Sequence, residues 1–300
     1  MKKKTYLFAL MAMALTLGSC SDNENGIGGE TSKYITVSTS IGNMTRVATD
    51  EKGGQTFEEG DEISVYAWTG DATVAPETRE RVVNNAINKL TNGSWISNPQ
   101  MLWKNNRDKH YFIGVYPISA ISDLSAGEYT FDETKQVESD LLVAVNKDGL
   151  SYNVDEQQPV PLTFTHVMAK LVVNLTYKNQ WGGIPTVEKV VVGNAAKEAT
   201  INYLTKVVTP STTAKEDFSL PEITENTKYV SVIIPQEEVT QLTIVIGGKN
   251  FVYDNGTPFK LESGKITTVN LEVGRDEIKL GDVKITNWED GSTFSGEALN

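Results

Sequence analysis

The sequence predicts an all-β protein that consists of two tandem β-sandwich domains. Short runs of alternating apolar and polar residues recur along the chain, and Gly, Asn and Asp turns separate them. This spacing is typical of β-sandwiches. The chain has 300 residues, which is enough for two domains of ordinary size.

The first predicted strand covers residues 34–41, where Ile35, Val37 and Ile41 fall on one face. Later alternating runs end at turn residues such as Asp254-Asn255-Gly256. The other predicted strands are 63–67, 111–116, 141–145, 162–164, 169–175, 187–192, 229–234, 242–246, 251–253, 266–273 and 283–288.

Residues 76–90 are the one stretch with helical spacing, because apolar residues recur there at i, i+3 and i+4. The same stretch also fits a strand followed by a loop. Residues 155–161 are polar and contain two prolines, so we place the domain boundary there. The predicted domains are 47–158 and 159–300.

The N-terminal residues have the pattern of an export signal. Three lysines precede an apolar run at 6–17, which is too short to cross a bilayer of about 30 Å. The following Leu17-Gly18-Ser19-Cys20 resembles a bacterial lipobox, so residues 1–19 are a predicted signal peptide cut between Ser19 and Cys20. The alternative is an ordinary signal peptide with a chance cysteine. We expect acylated Cys20 to anchor the chain through a polar, Gly-rich tether.

Composition and motifs argue against several function classes. A net charge of −12 disfavours nucleic-acid binding, which needs a basic surface. The single cysteine and two histidines suggest no metal site, and no catalytic or cofactor-binding motif occurs. We therefore predict a protein that is not an enzyme and needs no cofactor. We expect both histidines to have structural roles: His110 lies in a charged turn before a strand, and the apolar setting of His166 predicts a packed, hydrogen-bonded residue.

Several blocks carry a resemblance to Bacteroidales fimbrillin-like proteins, and they occur in the family's order. They are Thr45-Arg46, 57–66, Trp103 with 111–117, 140–144, 162–171, 234–236 and 285–291. The resemblance implies two transthyretin-like Greek-key sandwiches and a pilin of type V fimbriae. It also implies export as an outer-membrane lipoprotein, cleavage by an arginine-specific protease, and assembly with other fimbrial subunits at the cell surface.

Within that scheme, cleavage between Arg46 and Val47 would free residues 20–46, including the strand with Ile35, Val37 and Ile41. A sandwich that lacks one strand exposes unpaired backbone groups, which a neighbour's strand can satisfy. The alternative is that Arg46 is an ordinary loop residue.

The predicted donor strand lies within residues 278–300, and it could equally be an ordinary last strand of the second sandwich. Its apolar residues are Ile278, Leu280, Val283 and Ile285, with Gly281 as a predicted bulge between the two pairs.

The favoured function is a stalk subunit of a fimbria that serves adhesion, in preference to a tip or anchor subunit. The first alternative is a surface lipoprotein that binds glycans, which would need exposed tryptophan or tyrosine side chains. The second alternative, a hydrolase, is disfavoured because the motifs are absent.

Overall fold

The computed structural model describes residues 34–42, 56–136, 138–153, 158–239, 241–253 and 258–288. Within these ranges the chain forms β-strands, turns and two short 3₁₀ helices, and no α-helix, which confirms the all-β prediction. The strands are β1 Val37–Ile41, β2 Glu62–Thr69, β3 Val83–Thr91, β4 Ser94–Asn98, β5 His110–Tyr116, β6 Gly127–Thr130, β7 Leu142–Leu150, β8 Val160–His166, β9 Ala169–Tyr177, β10 Val187–Ala196, β11 Glu198–Asn202, β12 Val207–Pro210, β13 Lys215–Ser219, β14 Glu222–Thr224, β15 Lys228–Ile233, β16 Gln236–Val239, β17 Leu242–Ile246, β18 Lys249–Tyr253, β19 Phe259–Leu261, β20 Lys265–Val273 and β21 Ile278–Asn287.

The helical interpretation of residues 76–90 is wrong. This stretch contains a 3₁₀ turn at Thr78–Glu80 and then β3, which pairs with strands on both sides. Val83 and Ala86 are both buried although they are three residues apart, because the register shifts between them and Asn85 adopts a φ of 55°. A β-bulge therefore imitated the spacing of a helix.

The first sheet has seven strands in the order β1-β8-β7-β5-β2-β3-β4. β1 is parallel to β8, and the other neighbours are antiparallel. One face of the sheet lines an apolar cluster to which β1, β2, β5 and β8 all contribute. The two outer strands, β1 and β4, approach each other, so the sheet curls around this cluster.

The other face of the first sheet is also buried, which the alternation in β2 did not predict. Ser64 and Tyr66 point to this second face and are fully buried. Their hydroxyl groups accept hydrogen bonds from the backbone N–H groups of Ser119 (2.8 Å) and Ile121 (2.9 Å). Polar groups can be buried here because each has a partner.

The second half of the chain forms a five-stranded sheet, β14-β15-β9-β20-β21, and a four-stranded sheet, β13-β10-β17-β18. Apolar residues of both sheets meet in one core. The five-stranded sheet contributes Leu171 and Val269, and the four-stranded sheet contributes Val190 and Ile244. These residues alternate along their strands, as expected for two sheets packed face to face.

The predicted domain boundary at 158/159 does not coincide with a break between sheets. β8 begins two residues later, yet it pairs with β1 and β7 and so belongs to the first sheet. In addition, β6 from the first half pairs with β11 from the second half. The strands on either side of the polar, proline-containing segment, β7 and β8, therefore both belong to the first sheet, and the described residues form one compact unit.

Candidate functional site

The leading strand β1 fills a groove at the edge of the first sheet. Ile35, Val37 and Ile41 are only 2%, 5% and 8% exposed. They belong to the same apolar cluster as Leu162 and Phe164 of β8. The leading segment therefore covers a buried apolar surface, which is the geometry that strand replacement requires.

Backbone pairing fixes the register of β1. Five consecutive residues of β1 pair with β8, from Val37 opposite Val160 to Ile41 opposite Phe164. The ladder is extended at both ends: Val160 N–H donates to Thr36 C=O and Gly42 N–H donates to Phe164 C=O, each at 2.8 Å. If β1 left, these groups of β8 would lose their partners.

A cleft of about 670 Å³ runs between β1 and β4. Trp95 of β4 closes one side of it, and its indole N–H donates to the Thr39 hydroxyl at 3.0 Å. Phe57 packs edge-on against Trp95 and Phe164, with ring centroids 5.3 and 5.1 Å apart. β1 is thus held by a ladder on one side and by side chains on the other.

Several predicted site residues lie outside the described residues. They are Ser19 and Cys20, at the predicted signal cleavage and lipidation site, and Arg46 and Val47, at the predicted processing site. Gly42 is the last described residue before Thr56. Signal cleavage, lipidation and processing therefore remain predictions.

The predicted donor residues lie on β21, an edge strand that pairs with β20 along its whole length. The ladder shifts register by one residue at Gly281, which confirms the predicted bulge. The partners of the four apolar residues alternate along β20, so the bulge keeps all four on one face. These pairs are Ile278 with Val273, Leu280 with Leu271, Val283 with Val269, and Ile285 with Thr267.

A cluster that the sequence did not predict lies at the end of β21. The Trp288 indole stacks on the His166 imidazole, with ring centroids 4.1 Å apart and planes 4° apart. His166 Nδ1–H donates to the Asp140 carboxylate at 2.8 Å. The Lys170 amine lies 5.5 Å from the centre of the indole ring. Burial lowers the pKa of this amine, and the nearby Asp140 carboxylate only partly offsets the effect. His166 is packed and hydrogen-bonded, as predicted.

His110 is also packed and fully buried. Its Nδ1–H donates to Asp108 C=O at 3.0 Å, and its Nε2 accepts from Lys104 N–H at 3.1 Å. These partners require the neutral imidazole, and burial lowers the pKa of His110 below its usual value of about 6.5.

We expect His110 to make the protein less stable in acid. Below about pH 6.5 the unfolded chain takes up a proton that the folded chain accepts only at lower pH, so the free energy of unfolding falls as pH falls through this window. Urea unfolding at pH 7.5 and pH 5.5 measures the effect. A His110→Gln variant should show a smaller loss; an equal loss in both proteins would contradict the assignment.

The acidic residues near Gly60 have a structural role. Glu58 to Asp61 form a turn before β2: Gly60 has a φ of 97°, and the Glu58 N–H donates to the Asp61 carboxylate. No group of residues with the composition of a metal site occurs in the part of the chain that the structure describes. In the same part, no helix has the length and apolar character needed to span a bilayer.

The tryptophans offer no platform for a sugar ring. Three of the five are buried, and the other two, Trp95 and Trp181, are half-buried within aromatic pairs. The buried tryptophans are Trp68, Trp103 and Trp288. The tryptophans among the described residues therefore give the glycan-binding alternative no support.

Solved structures share this fold. A "putative cell adhesion protein" from Bacteroides uniformis aligns with a TM-score of 0.64 and 19% identity, over 85% of this chain and 99% of that one. A protein described in the same words from Bacteroides ovatus gives a TM-score of 0.65 and 18% identity, over 86% and 98%. The tip fimbrial protein Mfa3 of Porphyromonas gingivalis gives 0.50 and 10%, over 77% and 95%.

Sequence comparison also finds fimbrial proteins, and the matches cover most of the chain. The "Putative fimbrium subunit Fim1C" of Bacteroides uniformis is 24% identical and is aligned over 97% of both chains. The fimbrillin-like family model matches residues 45–288, which begin just before the predicted processing site and end at Trp288. The match covers far more than half of the sequence, and the chain belongs to the fimbrillin-like family.

Proposed function

We propose that this protein is a structural subunit of a cell-surface fimbria that serves adhesion and that it polymerises by strand exchange. Cleavage after Arg46 removes β1, and β21 of the next subunit takes its place. The observation that carries the proposal is the burial of Ile35, Val37 and Ile41 in a groove that their own strand fills. Family membership supports the role as a fimbrial subunit.

Removal of β1 would create an acceptor for another strand. The apolar floor formed by Val160, Leu162 and Phe164 would become exposed, and one edge of β8 would be unpaired. Both features favour the addition of an extended segment, because the ladder supplies affinity and the pockets supply specificity.

β21 matches the pattern of the strand that it would replace. Ile35, just before β1, and Val37, Thr39 and Ile41 of β1 face the groove and the adjoining cleft. β21 carries four apolar residues on one face, and in the proposed pairing they occupy the same four positions in the same order. The Gly281 bulge has to persist, since without it either Ile278 and Leu280 or Val283 and Ile285 would point away from the groove.

This contact is heterologous, because one subunit donates β21 and the next accepts it beside β8. Such contacts do not close on themselves and therefore build filaments. Before processing, a lipid on Cys20 would hold the subunit at the outer membrane through residues 20–46. Cleavage would then release the subunit and expose its groove in one step.

The proposal is tested by treating the full chain with an arginine-specific protease. We expect a new N-terminus at Val47 and a ladder of polymers on a gel run without boiling. Arg46→Ala should stay uncut at this site and monomeric. The matched control is Arg79→Ala, because Arg79 is an exposed arginine at a 3₁₀ turn far along the sequence, and this variant should polymerise normally.

A second variant tests the donor separately from the cut. Leu280→Asp should be processed normally but should fail to polymerise, because a carboxylate cannot occupy an apolar pocket without a large desolvation cost. Wild-type protein that is cut at Arg46 and remains strictly monomeric would contradict the proposal.

A further inference from the structure

Trp288 distinguishes the C-terminal end of β21 from the rest of that strand. Ile278, Leu280 and Val283 are half-buried, and Ile285 is 38% exposed. Trp288, which directly follows the strand, is only 3% exposed and is the one fully buried side chain among residues 278–288. The one fully buried apolar side chain among residues 278–288 therefore lies at the C-terminal end of β21.

The indole is held from several directions. Its face stacks on His166, which Asp140 orients through the 2.8 Å hydrogen bond. The backbone N–H of Trp288 donates to Gly264 C=O at 3.0 Å, at the turn that precedes β20. Its indole N–H is buried and has no hydrogen-bond partner, so packing and stacking hold the side chain rather than polar contacts.

The topology makes this end decisive. β20 and β21 form a hairpin in which Val273 pairs with Ile278, the first residue of β21. The turn between them is closed by a hydrogen bond of 2.8 Å from the Gly274 N–H to the Glu277 C=O. An edge strand that leaves its sheet must open from the end that is not tied by a turn. Among the described residues, the end of β21 away from that turn is at Asn287 and Trp288, so Trp288 has to leave its site before the ladder can open from there.

We propose that Trp288, stacked on His166, is a clasp that retains β21 in its own sheet and limits the transfer of this strand to a second copy of the chain. The inference rests on the proposed function, because only strand exchange gives the release of β21 a purpose. The clasp itself is a property of the single subunit and can be measured without any assembly.

Hydrogen exchange of the full chain, followed by mass spectrometry, measures opening of the hairpin strand by strand. In Trp288→Ala we expect the amides of residues 278–287 to exchange on the order of 100- to 1,000-fold faster, the scale expected when a large buried aromatic side chain is removed. Amides of β9 should keep their wild-type rates. Trp288→Phe, which retains a flat ring, should give a smaller increase.

His166→Ala removes the stacking partner and leaves the indole in place. It should also accelerate exchange in β21, which separates the clasp from a general loss of core packing at position 288. Trp181→Ala is the matched control, because Trp181 bonds to Val273 C=O at the turn end of the same hairpin. This variant should leave residues 283–287 protected.

Uniformly faster exchange in β9, β20 and β21 of the Trp288 variants would overturn the clasp, as would wild-type exchange in β21. A separate arm tests the proposed function: after arginine-specific cleavage, Trp288→Phe should polymerise faster than wild type. If β21 opens faster and polymerisation is unchanged, the clasp stands and the donor role of β21 fails.

Discussion

Val37→Asp is expected to detach β1 from its groove in the uncleaved chain. Val37 is buried at the centre of the leading segment, and an unpaired carboxylate there costs several kcal/mol. β1 has only five paired residues with which to offset that cost. The chain should therefore expose the groove without processing, bind an apolar dye and form oligomers in size-exclusion chromatography.

Ser38→Asp is the matched control, because Ser38 is the next residue and points to solvent. It adds the same charge to the same strand but should leave dye binding and mass unchanged. If both variants behave alike, the leading strand is not held by its buried face and the groove has a different occupant.

Phe164→Ala is expected to lower the free energy of unfolding by about 3–5 kcal/mol, the usual cost of removing a large buried aromatic side chain. Phe164 is fully buried, and its ring lies over Gly114, where an added Cβ would approach Phe164 Cζ to 2.6 Å. Urea unfolding at neutral pH, where the histidine contribution is constant, measures the change.

Thr163→Ala provides the comparison, since Thr163 is the neighbouring residue of β8 and is exposed. Its loss should stay within about 0.5 kcal/mol. A loss below about 1 kcal/mol for Phe164→Ala would show that the groove floor is not part of the cooperative core. The two variants together therefore measure how much of the subunit's stability depends on the surface that exchange would reuse.

The sequence was sufficient to predict most strands, because alternation is a local signal that one sheet face imposes on each segment. Alternation was misleading where a strand is buried on both faces or contains a bulge. β2 is buried on both faces, so Ser64 and Tyr66 are core residues despite their alternation with Ile63 and Val65. In β3 the bulge near Asn85 produced helical spacing.

The apolar face of residues 35–41 was predicted from their alternation and the groove was implied by the family resemblance, yet the walls of the groove were not predicted. The parallel pairing of β1 with β8 joins segments more than a hundred residues apart, and nothing local marks Gly114 as the position that admits Phe164. The stacking of Trp288 on His166 was missed for the same reason. Each residue was recognised as a packing residue, but a partner at such separation is fixed only by the complete fold.

The pairing of β8 has a consequence for the order in which the subunit matures. β7 pairs with β8 only at residues 164–166, whereas β1 pairs with residues 160–164. The first half of β8 therefore has only the leading segment as a backbone-pairing partner among the described residues. A chain synthesised without that segment should therefore fold poorly, so under the proposed function the segment is needed during folding, before any cleavage at Arg46.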